Sequence, residues 1–244
     1  LVPHHESTLP AVAATGLVSG RGNESLRGGS GWSLSTWLFL RDNLARSPAN
    51  LPVAGELGGS QAGIRAAYAI DGAGRVDVYG RVSAALGHLQ QSELAFGVSA
   101  APFAAVPVRV AVERRERLGR DGRSAMAVMM VGGVSAKPLP ANFRLDAYGQ
   151  AGVVGVNSRD AFVDGAVVID HALDIAKEAR SLRVGAVLAG AAQPHVERID
   201  VGPRVTLPIP QIGKGARLAV DWRQRVAGNA LPKNGASLTF GADF

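Results

Sequence analysis

The feature that most constrains this chain is a two-residue alternation of side-chain chemistry. From 62 to 70 one set reads Ala62, Ile64, Ala66, Tyr68 and Ile70, and the interleaved set reads Gly63, Arg65, Ala67 and Ala69. The next segment repeats it, with Val76, Val78, Gly80, Val82, Ala84 and Leu86 against Arg75, Asp77, Tyr79, Arg81 and Ser83. Successive side chains of a strand point to opposite faces, so this period predicts strands with one apolar and one polar face. A helix would need apolar residues every three or four positions, and they do not fall that way. Between the two segments lies Asp71-Gly72-Ala73-Gly74, whose glycines tolerate positive φ. The unit reads as a β-hairpin.

The same alternation recurs along the chain. Val108, Val110 and Val112 interleave with Arg109, Ala111 and Glu113; Leu145, Ala147, Gly149, Ala151 and Val153 with Arg144, Asp146, Tyr148 and Gln150. Ile199, Val201, Val205 and Leu207 face away from Arg198, Asp200, Arg204 and Thr206, and Leu218, Val220, Trp222 and Val226 from Asp221, Arg223 and Arg225. With weaker segments near 32–41, 93–101, 123–134, 161–170 and 182–192, the count is about twelve strands, one roughly every 20 residues. No interval leaves room for the regular helices of a βαβ fold, although 173–180 fits either a helix or a loop. Pro203 falls inside a strand and is expected at a bulge or strand end.

Alternation alone fits a soluble antiparallel sheet as well as a membrane barrel, so face chemistry must decide. Arg far outnumbers Lys, and the polar set pairs Arg with Asp or Glu at strand centres. Planar guanidinium groups suit a crowded interior where carboxylates are met bidentately. The apolar set is small and smooth, built from Val, Ala, Leu and Gly. Together these predict an all-β, antiparallel transmembrane β-barrel with aliphatics facing lipid and charges facing the lumen. The longest apolar stretch, Ala125 to Val134, is too short for a spanning helix, which needs about 18 residues. Aromatics make up only 5% of the chain, so the interfacial girdles should be thin. Loop lengths do not separate into a short and a long set. A soluble carbohydrate-binding β sandwich is the competing reading.

The net charge of +6 raises nucleic acid as a partner, but the arginines are spread one or two per segment without a basic tail or aromatic-interleaved cluster. Nucleic acid is therefore not expected. Cysteine is absent, which removes disulfides and thiolate metal sites. The lumen-lining candidates are Arg65, Arg81, Arg109, Glu113, Arg115, Arg144, Asp146, Asp221, Arg223 and Arg225. Two roles stay open for them: structural ion pairs that tie strands together, or a basic lining that attracts anionic solutes. The chain ends in an alternating strand, Leu238, Phe240, Ala242 and Phe244, and the terminal Phe244 is expected to serve as the membrane-insertion signal.

Other chemistry finds little support. No Gly-x-Ser-x-Gly elbow is present, and His88, His171 and His195 fall in predicted turns. His4-His5-Glu6 lacks the second His of a zinc helix, and Gly213-Lys214 has Pro208 where a phosphate loop needs its first Gly. The expectation is a protein without catalytic residues, metal or cofactor.

Several blocks resemble a known family: Gly58-Gly59-Ser60-Gln61-Ala62-Gly63 leading into RAAYAI, AVERRERL at 111–118, FRLDAYGQAGVVG at 143–155, RIDVGPRV at 198–205 and DWRQRVAGNALPKNGASLTFGADF at 221–244. They are similar to the C-terminal barrel of the bacteriophage adsorption protein A family, related to outer-membrane channels of cellulose and other exopolysaccharide export systems. The similarity covers about residues 32–244, and the last block is its most specific part. It implies a barrel over 32–244, with residues 1–31 a linker or poorly ordered lead-in from a periplasmic tetratricopeptide-repeat region of a longer protein. It further implies outer-membrane lipid and the barrel-insertion machinery as partners, and either polysaccharide passage or phage adsorption as the role. In the second case the barrel would be plugged and its loops near 42–57 and 228–235 would be touched from outside.

Overall fold

A computed structural model describes residues 31–41, 59–86, 92–118, 124–155, 160–173 and 182–244, the side chain of Lys214 excepted. Twelve strands follow one another. The first six are β1 (Trp32–Arg41), β2 (Gln61–Ala69), β3 (Val76–Ala85), β4 (Ser92–Ala100), β5 (Val108–Arg117) and β6 (Ala125–Pro138). The second six are β7 (Phe143–Val154), β8 (Asp160–Leu173), β9 (Leu182–Gln193), β10 (Val196–Pro208), β11 (Lys214–Gly228) and β12 (Gly235–Asp243). Each pairs antiparallel with its sequence neighbours, and β12 returns to β1 to close the barrel, from Ser35 opposite Asp243 to Arg41 opposite Ser237. Closure leaves no open edge, the condition a sheet must meet to cross hydrocarbon.

The twelve-strand antiparallel barrel expected from the alternation is therefore present, and so is its inverted polarity. No second layer of elements packs on the sheet among the described residues, so a strand side chain is buried only by pointing inward. Glu113 and Asp221 are each 1% exposed, and Arg65 and Arg81 are buried. Their sequence neighbours point out: Ile64, Val82, Val112 and Val220 are exposed, Val220 by 50%. This is the reverse of a soluble β protein, and the carbohydrate-binding sandwich is excluded by it.

The predicted hairpin at 71–74 forms, with the Gly74 amide donating to the Asp71 carbonyl at 3.1 Å and the Val76 amide to Asp71 Oδ1 at 2.8 Å. Pro203 departs from expectation. It lies in the middle of β10 opposite Ala186 of β9, and the register shift between β10 and β11 falls earlier, at Ile199/Asp200. Its missing N–H is accommodated because the β10–β11 pairing passes from Val201–Gln224 to Arg204–Asp221 without pairing the two residues between. There the backbones draw together: a Cβ on Gly202 would stand 1.6 Å from the Trp222 carbonyl oxygen. Of the stretch 173–180, Leu173 ends β8 and the rest lies outside the described residues, as do residues 1–30 and the loop 42–57.

The two rims differ. Strand ends β1 (start) and β12 (end) share one rim with the 70–75, 101–107, 139–142 and 209–213 connections; this is the terminal rim. Here most of the exposed aromatics collect, Phe96 and Trp222 lying mid-strand: Trp32 against Tyr68 with ring centroids 5.1 Å apart, Phe143 against His171 at 5.0 Å, and Phe103 and Phe244. At the opposite, distal rim, outward-facing Arg114 and Glu116 on β5 pair with each other at 2.6 Å, beyond the apolar run of Val108, Val110 and Val112. The scarce aromatics thus make a girdle at one rim. Val220→Arg places a charge in the lipid-facing band and is expected to destabilise the barrel by about 2–4 kcal/mol in phospholipid vesicles. Urea refolding titration, with heat-modifiable gel mobility as the folding readout, measures it; Arg114→Gln at the rim is expected to leave the midpoint unchanged.

Candidate functional site in the barrel lumen

Three groups of ion pairs line the inside. The first spans β2 to β5 and centres on Glu113. Its carboxylate accepts hydrogen bonds from Tyr79 Oη at 2.7 Å, Arg81 Nη2 at 2.9 Å and Arg115 Nε at 2.6 Å. Arg81 also reaches Glu93 at 2.7 Å, Arg109 pairs with Asp77 at 2.6 Å, and the Arg65 guanidinium lies 4.3 Å above the Tyr79 ring. Register explains the cluster. Tyr79, Gly97 and Glu113 stand in one row across β3, β4 and β5, and Arg81, Ala95 and Arg115 in the next. A Cβ on Gly97 would come 2.9 Å from the Tyr79 ring and 2.8 Å from Glu113 Cβ. Only a missing side chain on β4 lets β3 and β5 touch across it.

The second group joins β1, β10 and β11. Arg204 holds Asp221 bidentately at 2.5 and 2.8 Å, and Arg223 adds donors at 3.2 and 3.1 Å to the same carboxylate. Arg198 grips Asp200 bidentately at 2.9 and 2.8 Å, and Arg41 reaches it from β1 at 2.8 Å. Arg223 also stacks over Phe39, 5.0 Å from the ring centre. The third group, on β7 to β9, gathers Arg144 and Arg183 on Asp170 at 3.0 and 2.6 Å, with Asp146 3.1 Å from Arg144. Charge-assisted bonds of this kind satisfy both partners where water is limited.

The sequence-predicted residues are thus all on the inner face, but they do not form one site. Arg65, Arg81, Arg109, Glu113 and Arg115 belong to the first group, Asp221 and Arg223 to the second, and Arg144 and Asp146 to the third. Arg225 instead donates to the Ala230 carbonyl. That bond belongs to a fourth arrangement at the distal rim. The 229–234 loop bends over the mouth with Ala230 fully buried, and its carbonyls are held by guanidiniums: Leu231 and Pro232 by Arg198 at 3.4 and 3.2 Å, and Lys233 by Arg41 at 3.4 Å. Glu93, Asp170, Arg183 and Arg41 were missed because their strands carry weaker alternation. Asp77, Arg198, Asp200 and Arg204 were already on the polar set, and the two-residue period would have supplied them.

The lumen is unequally filled. On the β2–β8 side, Tyr79, Met129, Val131 and Phe162 pack with small alanines into a solid cluster. Against β7 to β12 lies a cavity of about 130 Å³. Five arginines line it (Arg144, Arg198, Arg204, Arg217 and Arg223), and five aspartates oppose them (Asp146, Asp164, Asp170, Asp200 and Asp243). The walls between are largely Ala and Gly, such as Ala166, Ala189 and Gly190. No cluster of three or more His, Cys, Asp or Glu suited to a metal ion occurs among the described residues.

No family model matches the chain, and no curated protein does. Its fold is similar to solved outer-membrane barrels. LpxR from Salmonella typhimurium aligns over 87% of this chain and 99% of its own, at 10% identity and a TM-score of 0.42. OmpT, an outer membrane protein of Vibrio cholerae, aligns over 87% of this chain in two forms. The loop L8 deletion mutant is matched over 97% of its length at 12% identity and TM-score 0.26, and the in-vitro folded protein over 95% at 12% and 0.22. The likeness is one of fold. With a closed twelve-strand barrel whose aliphatics face out and whose charges face in, the chain is an outer-membrane β-barrel.

The expectation of a protein without enzymatic role is corrected here: it rested on absent motifs, and the absence of a motif excludes no activity. The physical fault in that expectation is its reliance on local motifs. A barrel collects side chains from remote strands, as Arg41 meets Asp200 at a separation of 159 residues, so a missing Gly-x-Ser-x-Gly excludes nothing. His171 is likewise corrected: it lies in β8, not in a turn, whereas His195 does occupy the β9–β10 turn with φ of 68° and His88 is outside the described residues. Glu113→Gln leaves two buried guanidiniums short of their counter-charge and is expected to cost about 3–5 kcal/mol. Urea unfolding in vesicles checks it, with Glu116→Gln on the outer face as the silent control.

Proposed function

We propose that this barrel is an outer-membrane channel for polar, hydroxyl-rich solutes, with exopolysaccharide the substrate class that the bacteriophage adsorption protein A resemblance suggests. The observation that carries the reading is the cavity's extent. Its lining runs from Arg198 and Asp200 near the distal rim to Arg217 and Asp243 near the terminal rim. Small Ala and Gly walls between charges of both signs present hydrogen-bonding groups along the cavity. Five arginines against five aspartates favour neutral saccharide over the anionic solutes that the overall Arg surplus suggested. Phe244, whose amide and carbonyl pair with Leu34 on β1 at 2.8 and 3.0 Å, is read as the insertion signal, and a periplasmic tetratricopeptide-repeat region as the accompanying part of a longer protein.

A second reading, a plugged barrel serving as a surface receptor for phage or another partner, is favoured by the arginine-held 229–234 loop across the mouth. Planar-bilayer recording separates the two. The channel reading predicts unitary conductance that falls at least about threefold in Ala189→Trp, which fills the cavity, and is unchanged in Val220→Leu on the outer wall. Absence of conductance in the intact barrel, restored by removing 231–233, would support the receptor reading instead.

A further inference from the structure

Every carboxylate in the three groups above is matched by guanidinium; Asp164 is not. It sits on the inner face of β8, 5% exposed, and neither of its carboxylate oxygens has a hydrogen-bond partner. It lines the cavity, with Gln150 opposite on β7 and Ala191 opposite on β9. A buried carboxylate left without donors is costly, and each carboxylate of the three groups has an arginine. Gln150 can offer amide hydrogens but no charge. The guanidiniums of Arg198, Arg204 and Arg223 are already committed to Asp200 and Asp221.

We propose that Asp164 is the anchor of a binding site in the lumen for a small organic ammonium ion. The charge is set by the carboxylate, and the chemical class by its surroundings. A bare metal cation needs several oxygen ligands at once, and the described residues bring a single carboxylate to this position. A primary ammonium supplies three N–H donors of its own, enough for both Asp164 oxygens and a carbonyl oxygen of Gln150's amide. Its alkyl body fits the Ala166, Ala189 and Ala191 wall, and the Tyr148 ring lines the same cavity, where a cation is favoured over an aromatic face. The volume of about 130 Å³ suits a body of a few carbons, since a cavity of ~150 Å³ holds benzene. The inference needs the cavity to be reachable from water, and in that respect it rests on the channel reading.

n-Butylammonium chloride is the probe, titrated into the refolded barrel in detergent micelles by isothermal calorimetry, with tetramethylammonium, which has no N–H, as the comparison. Saturable butylammonium binding at one site is expected, at least about tenfold weaker in Asp164→Asn and at least about tenfold weaker for tetramethylammonium. Ala191→Val, which narrows the wall but leaves the carboxylate, keeps a folded second variant in hand and is expected to weaken binding of butylammonium more than of methylammonium. Heat-modifiable mobility verifies folding of each. Binding absent from the wild-type barrel, or undiminished in Asp164→Asn, overturns the site. Bilayer conductance of the same preparation keeps the two readings apart: conductance without butylammonium binding refutes the site alone, and absence of conductance refutes the passage.

Discussion

A charged side chain left unmatched inside a wall whose other face is hydrocarbon is costly, and that cost organises the lumen. Glu113 with Tyr79, Arg81 and Arg115, and Asp221 with Arg204 and Arg223, are hubs in which one carboxylate binds residues from separate strands. The hubs act as cross-ties. Backbone ladders hold each strand to its two neighbours only, whereas Glu113 reaches over β4 to β3 and Asp200 links β10 to β1. Removing one partner would strand a buried charge, so the network is worth more as a set than as isolated pairs.

The hubs also divide the interior. Where aromatic and sulfur side chains join them, between Tyr79, Met129 and Phe162, the lumen is solid. Where the same strand positions carry Ala or Gly, at Ala166, Ala189 and Gly190, an elongated cavity remains. Side-chain size on the inner face, rather than strand number, therefore sets where the lumen is filled and where it is open. The arginine-held loop over the distal mouth acts on the same cavity from its end, because Arg198 and Arg41 contribute both to the Asp200 hub and to the loop carbonyls. The loop's seat over the mouth and the Asp200 hub therefore share the same two guanidiniums.

Much of the architecture was legible in the sequence because the barrel repeats one rule. Arg65, Tyr79, Arg81 and Glu113 occupy inner positions that a two-residue count assigns without coordinates. What the count could not give is who meets whom. Arg41 and Asp200 are brought together by closure of β1 onto β12 and by the tilt and stagger of the sheet, which no local pattern encodes. Nor could it show that Pro203 would sit mid-strand, since the gap in the β10–β11 pairing depends on the close approach at Gly202. The same reason undermines local motifs as evidence against catalysis. Asp164 stood in a strand of weak alternation and became notable only once its neighbours proved to be Gln150 and Ala191 rather than arginine.

The inverted polarity on which all of this depends can be tested with two of the three tryptophans. Trp222 is on the outer face, 52% exposed, and Trp37 is on the inner face, 3% exposed. Single-tryptophan variants retaining one or the other, refolded into vesicles of phospholipid brominated along the acyl chains, report contact with hydrocarbon through fluorescence quenching. Strong quenching of Trp222 with Trp37 little affected is the predicted result. Quenching of Trp37 in preference to Trp222 would contradict the arrangement.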